Sequence, residues 1–171
     1  DIKTTSKLSA ILKVVHARSM KQNSTKQLRR KLIFCHYRAE IDTLQYALTR
    51  MGITNSTIDG RTKKKARKIS LEYAPDAGEM HTVCKQWNNV LARDVWSIID
   101  SFLAPEVMIL QIQTACEGLN LQHFQEIYFT SPHWNPAVED QAIARAHRIG
   151  QKQTVDVFHF VMKGFGRNTK S

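Results

Sequence analysis

Cysteine is scarce and poorly placed for bonding. Cys35, Cys84 and Cys116 are scattered through 171 residues, form no C-x-x-C pair and leave an odd count. That argues against a disulfide framework and against a zinc site. No grouping of histidines and carboxylates has metal-ligand spacing, so His147 and His159 read as structural and no metal is assigned. No apolar run approaches the roughly 20 residues of a bilayer span, and no signal-peptide pattern opens the chain, so no membrane partner is expected. Internal repeats are missing. Acidic residues are in short supply: 15 against 25 Lys and Arg, a formal net charge of +10. Such an excess attracts polyanions such as nucleic acid before any specific contact forms. A solvated basic surface is the alternative.

What is present suffices for one folded domain spanning 1–171. Apolar residues make up 42% of the chain, which argues against wholesale disorder. The chain opens at Asp1 and reads as a piece excised from a longer protein. Leu8, Ile11, Leu12 and Val15 stand at i, i+3, i+4 and i+7, predicting an amphipathic helix over Ser6 to Ala17. Ser19 to Arg30 reads as a loop. Lys31 to Tyr37 reads as a buried strand, and Ile41, Leu44, Leu48 and Met51 as a helix stopped by Gly52. Further strands are expected over Ile53–Ile58, Val107–Ile112, Glu126–Phe129 and Thr154–Val161, with a helix from Asn135 to His147. Thr62 to Lys68 looks helical. Residues 70–93 read as an insertion and 163–171 as a frayed tail. Strand alternating with helix predicts an α/β fold, a parallel sheet covered on both faces, with ligands at the carboxyl ends of the strands.

The chemistry concentrates in QAIARAHRIGQ, Gln141 to Gln151. On a helix, Gln141, Arg145 and Arg148 share one face. Two guanidiniums about a turn apart present a fork of donors to a polyphosphate. Upstream stand Trp134, Asn135 and Pro136, and before them Thr114, Gly118, Leu119, Asn120 and Leu121 in T-x-x-x-G-L-N-L after a strand. A glycine at such a turn lets backbone amides approach a phosphate.

In this order the pieces resemble the C-terminal, RecA-like lobe of Swi/Snf-family ATPases, within superfamily-two helicases. KLIFCHYRAEIDTL looks like the motif IV region and TIDGRTKKKAR like the D-G-x-T turn with its following arginine, Arg67. ILQIQTACEGLNL looks like motif V, and SPHWNPAVEDQAIARAHRIGQKQTVDVFHFV like motif VI and beyond. The resemblance covers about residues 6 to 161. The sequence departs from the pattern at Ala115, Cys116 and Glu117, where motif V is commonly small and glycine-rich, in the long 70–93 segment, and in stopping before the usual helical brace.

The resemblance implies half of a motor. ATP would lie between this lobe and a first lobe that supplies the phosphate loop and holds Mg2+. This chain has no G-x-x-x-x-G-K-[ST] and no D-E-x-H, so it should not turn over ATP alone. Arg148 would be the arginine finger with Arg145 beside it, and Gln141 would orient water or report phosphate. Gly118 would approach the nucleotide or the DNA backbone, joined by Thr114 and Asn120. Trp134 would couple lobe position to DNA, or else pack in the core. Asn135 and Pro136 are assigned to helix capping, and Gly150 to a turn or a C-cap. Lys63, Lys64, Arg67 and their neighbours Lys65 and Lys68, with Lys26, Arg29, Arg30 and Lys31, are candidates for duplex phosphate or ordinary solvated faces. The implied partners are double-stranded DNA, the first lobe, and nucleosomes or other DNA-bound proteins. The implied location is the nucleus, or another site of viral or cytoplasmic DNA handling. The competing implication is a degenerate scaffold that binds DNA or a partner without hydrolysis.

Overall fold

Buried apolar pentads and tetrads set the architecture. A computed structural model describes residues 6–25, 29–62, 105–115, 119, 121–151 and 153–161. Its strands are β1 Lys31–Cys35, β2 Asn55–Ile58, β3 Val107–Gln111, β4 Glu126–Phe129 and β5 Asp156–His159. Its helices are α1 Ser6–Thr25, α2 Arg38–Arg50, the single turn α3 Ile112–Ala115, and α4 Pro136–Ala146. All strand pairs are parallel, in the order β2-β3-β1-β4-β5. The most central strand, β1, is buried at every residue, as expected of a parallel strand covered on both faces.

Successive strand residues point to opposite faces, and the two cores follow that period. Leu32, Phe34, Met108, Leu110, Ile127 and Phe129 pack on one face beneath Ala142 and Ala146 of α4. Ile33, Cys35, Val107, Ile109 and Tyr128 pack on the other beneath α1 and α2. Burial of each large apolar side chain contributes about 1.5–3 kcal/mol. Cys35 is a packing residue: burial, then the nearby Glu40 charge, push its thiol far up from the ordinary range.

The first helix runs to Thr25, past the boundary expected at Ala17, and takes in most of the stretch read as a loop. The reason is chemical. Ser19 and Gln22 continue the buried face one and two turns beyond Val15, but as polar residues. The Ser19 hydroxyl bonds Glu106, and Gln22 donates to the Arg29 carbonyl at 3.1 Å. A search for apolar spacing alone stops too soon.

Strand ends also shift inward. Tyr37 caps α2, Ile112 opens α3, and Ile53, Thr154 and Val161 lie outside the ladders. Gly52 closes α2 with φ 72°, its N–H reaching Thr49 O at 3.0 Å while Ile53 N reaches Leu48 O at 3.0 Å. That is a Schellman close, which needs the left-handed conformation glycine adopts without strain. The helix expected over Thr62–Lys68, the 70–93 insertion and the tail lie outside the described residues, Thr62 excepted.

Candidate functional site

Because β1 and β4 are neighbours and parallel, their carboxyl ends place two short segments side by side. From β1 come His36 and Tyr37, and from β4 come Thr130, Ser131, His133 and Trp134. The His36 and His133 rings stack with centroids 5.3 Å apart. His133 meets Trp134 at 5.6 Å, and His36 meets Tyr37 at 6.3 Å. Glu40 ties the segments together: its Oε2 accepts from His36 N and from Thr130 Oγ1, both at 3.2 Å. Lys7 reaches Glu40 at 3.5 Å and also bonds Ser131. Trp134 is 87% exposed, so its role as a packed core aromatic is ruled out. Asn135 caps α4 as expected, its side chain accepting from Ala137 N at 3.1 Å with Pro136 following.

Along the same edge, Asp59 to Thr62 form a closed turn after β2. Asp59 Oδ1 accepts from Arg61 N at 2.8 Å, and Thr62 Oγ1 accepts from Asp59 N at 3.1 Å. The Arg61 guanidinium is held by Asp59 at 2.6 Å and by Asp42 at 2.9 Å. Burial disfavours the Asp59 charge, but Arg61's hydrogen bonds and charge outweigh it and hold the carboxyl below the ordinary aspartate range.

The arginine pair lies elsewhere. α4 follows β4 and returns toward the amino end of β5; its eleven residues span about 16 Å at 1.5 Å each. Its far end is stitched to the connection before β4. Leu121 N donates to Arg145 O at 3.2 Å, Gln122 Nε2 to Ile149 O at 2.9 Å, and Gln151 Nε2 to Gln122 O at 2.7 Å. The strand carboxyl ends therefore gather Trp134 and the Asp59 turn, whereas Arg145 and Arg148 lie toward the other end. The helix also ends sooner than expected. His147 leaves the helical region with ψ 79°, so Arg148 is not the i+7 member of a face shared with Gln141 and Arg145. Gly150, at φ 105°, serves the turn that follows rather than the cap. Gln141 and Arg148 are exposed and Arg145 half-buried. Among the described residues neither guanidinium has an ionic or hydrogen-bonded partner. Ile149 between them and the turn is 99% exposed.

Other candidates fare differently. Thr114 is buried in α3. Gly118, Asn120, Lys63, Lys64 and Arg67 lie outside the described residues, as do Lys26, Lys65, Lys68 and the departures at Cys116 and Glu117. The cluster Arg29, Arg30 and Lys31 is not a phosphate-binding face. Lys31 is fully buried and bonds Glu106 at 2.8 Å, Arg29 meets Asp156 at 2.9 Å, and Arg30 is buried. Carboxylates at the starts of neighbouring elements claim these charges. His159 stacks on Phe129 and faces Glu139 at 3.5 Å, a structural setting. Sequence reasoning missed His36 and His133. They belong to segments about 95 residues apart, as for His36 and Ser131, and no local spacing signals the pairing.

Residues 89–150 match the model of the helicase conserved C-terminal domain. The chain is also similar to DNA repair protein RAD5B of Arabidopsis thaliana, 29% identical over 161 residues, 94% of this chain and 10% of that protein. A putative SWI/SNF-related regulator of chromatin from the same plant is 28% identical over 92% of this chain and 15% of its own length. The chain is thus similar to helicase C-terminal domains of Swi/Snf-related proteins. Human helicase-like transcription factor is 42% identical over 60 residues, 35% of this lobe and 6% of that protein. Among solved structures, the C-terminal part of the Fun30 ATPase domain superposes with a TM-score of 0.68 at 21% identity, covering 94% of the lobe and 42% of that chain. That likeness is one of fold, a RecA-like parallel sheet. The lobe spans about a tenth of the length of RAD5B, so most of such a protein lies elsewhere.

Proposed function

We propose that this lobe is the second half of an ATP-dependent motor that tracks along double-stranded DNA and remodels what is bound there. The observation that carries the reading is the pair Arg145 and Arg148, left without a carboxylate partner among the described residues beside the turn at Gly150. Buried or paired arginines hold a fold together; arginines without a carboxylate at a helix end suit a polyphosphate. Arg148 would act as the finger, stabilising charge that builds on the transferring phosphoryl oxygens, with Arg145 and Gln141 beside it. ATP is the nucleotide this reading calls for, with magnesium held by the first lobe. α4 then acts as a rod. One end carries the arginines and the other carries Trp134, so closure on nucleotide moves the aromatic rim over DNA. The names of the relatives, in DNA repair and chromatin regulation, support a nuclear setting and DNA-bound protein as the object of the work.

The test joins this lobe to its native first lobe and measures ATP hydrolysis with and without duplex DNA. Expected are no turnover by the lobe alone, DNA-stimulated turnover by the pair, and loss of that turnover in Arg148→Ala with ATP binding retained. DNA binding without stimulated hydrolysis would replace the motor by a scaffold.

A further inference from the structure

Trp134 combines two properties that seldom meet. Its ring stands almost wholly in solvent, while the loop that carries it is pinned on both sides. His133 N donates to Glu139 Oε1 at 2.5 Å. His133 Nδ1 lies 3.1 Å from Asn135 N and 3.0 Å from Asn135 O, within hydrogen-bond reach of both, and that same Asn135 caps α4. Behind His133 lies the His36 ring, inclined only 14° to it, with His36 Nε2 3.0 Å from the Ser131 carbonyl. The indole centroid lies 5.6 Å from that of the His133 ring, the two planes inclined at 33°. An unsupported exposed tryptophan would sample several rotamers; a pinned loop and a neighbouring ring that is itself bonded and stacked narrow the choice.

We propose that His133, backed by His36, is the positioning residue of Trp134. The imidazole stack holds the indole out over the strand ends, and that hold sets how strongly duplex DNA stimulates turnover. The second half rests on the motor reading above; the first half does not. A ring held in its working orientation loses less freedom on docking than a loose one, a difference of a few-fold to about tenfold in the docked population.

Two measurements test it. The first needs no DNA. The 171-residue chain is labelled with 5-fluorotryptophan, and Trp134→Phe assigns the fluorine resonance among the three tryptophans. In His133→Ala the Trp134 line should narrow and move toward that of the free amino acid, and in His133→Phe, which keeps a ring, it should stay near the wild-type position. Should His133→Ala fail to fold, His36→Ala carries the same comparison with a smaller shift. An unchanged line overturns the hold.

The second uses the complete protein and a double-mutant cycle on DNA-stimulated turnover. His133→Ala should lower stimulation about three- to tenfold. Trp134→Ala should lower it at least as much, and the double variant no further than Trp134→Ala alone. Losses that multiply would show that His133 acts elsewhere and overturn the coupling. A shifted fluorine line in a protein that DNA does not stimulate sinks the motor reading and leaves the hold standing. Stimulation with an unmoved line does the reverse.

Discussion

Arg18 and Arg29, under one face of the sheet, close on carboxylates. Arg145 and Arg148, at the same end of the strands but on the other face, close on nothing among the described residues. On the first side, Arg18 meets Glu126 at 3.0 Å and Asp156 at 2.8 Å, and Arg29 meets Asp156 at 2.9 Å. Tyr128 donates to Glu126 at 2.6 Å, and Lys31 meets Glu106 at 2.8 Å. Burial, then the Glu126 bond, push the Tyr128 phenol far above its ordinary range, so it remains a donor at any physiological pH. Positive charge is thus spent in two ways. Where carboxylates share the first turns of the strands it fastens α1 to the sheet. Where α4 ends, no carboxylate among the described residues takes it up. Net charge alone does not distinguish the two uses.

The sharpest way to break this contrast is Glu126→Ala. The carboxylate is nearly fully buried, and its loss leaves the Tyr128 hydroxyl and two guanidiniums without it. Breaking a buried ion pair from one side costs about 3–5 kcal/mol. Urea unfolding of the chain should show that loss, with turnover per folded molecule of the complete protein unchanged. A change under 1 kcal/mol would mean the cluster is worth no more than a surface pair. Arg148→Ala should show the mirror image. Turnover should fall about a thousandfold, near 4 kcal/mol at 1.4 kcal/mol per tenfold, while unfolding stability stays within about 0.5 kcal/mol. A destabilisation above that would reveal a structural partner for Arg148 and weaken its reading as a finger.

How far the sequence foretold this depends on the range of the interaction. Elements resting on apolar period were legible: Leu8 to Val15, Ile41 to Leu48, and the buried runs of β1 and β3. So were local signals such as Asn135 with Pro136, and Gly52. The ordered motifs also pointed to the relatives that the chain is similar to. Hidden were features made by pairing distant segments. Ser19 and Gln22 extend α1 only because Glu106 and Arg29 await them. Lys31 looked like part of a basic patch until Glu106 proved to lie beside it. His36 and His133 meet because β1 and β4 are neighbours, an order that no linear pattern contains. Arg148 left its expected face because a backbone angle at His147 ended α4 at Ala146, before Arg148, a matter of ψ rather than of composition.

The Asp59 turn offers a smaller effect with a pH signature. Its carboxyl is held below the ordinary aspartate range, so the folded state favours the charged form. The stabilisation is therefore present above the unfolded value of about 3.9 and is lost as pH falls through the lower folded value. Asp59→Asn keeps an acceptor for Arg61 N but drops the charge facing the guanidinium. It should lower stability at pH 7, modestly because Arg61 is exposed, and the gap to wild type should close as the pH falls through the lowered folded value of Asp59. A gap independent of pH would assign the turn's stability to shape rather than charge.

The smallest effect separates structure from docking at the Trp134 end of α4. Asn135 Oδ1 takes the Ala137 N–H, one of the donors a helix start leaves open. Asn135→Ala should cost about 1 kcal/mol, a fall in Tm of roughly 2–4 °C for a chain of this size. Asn135→Asp should restore that loss, since aspartate caps as well and its charge suits the helix amino end. The two readouts should then part company. Aspartate places a new negative charge next to Trp134, where duplex phosphate is proposed to pass. DNA-stimulated turnover in Asn135→Asp should therefore drop, and its dependence on salt should flatten, while Tm recovers. If turnover recovers together with Tm, DNA does not run past this rim, and Trp134 must face the first lobe instead.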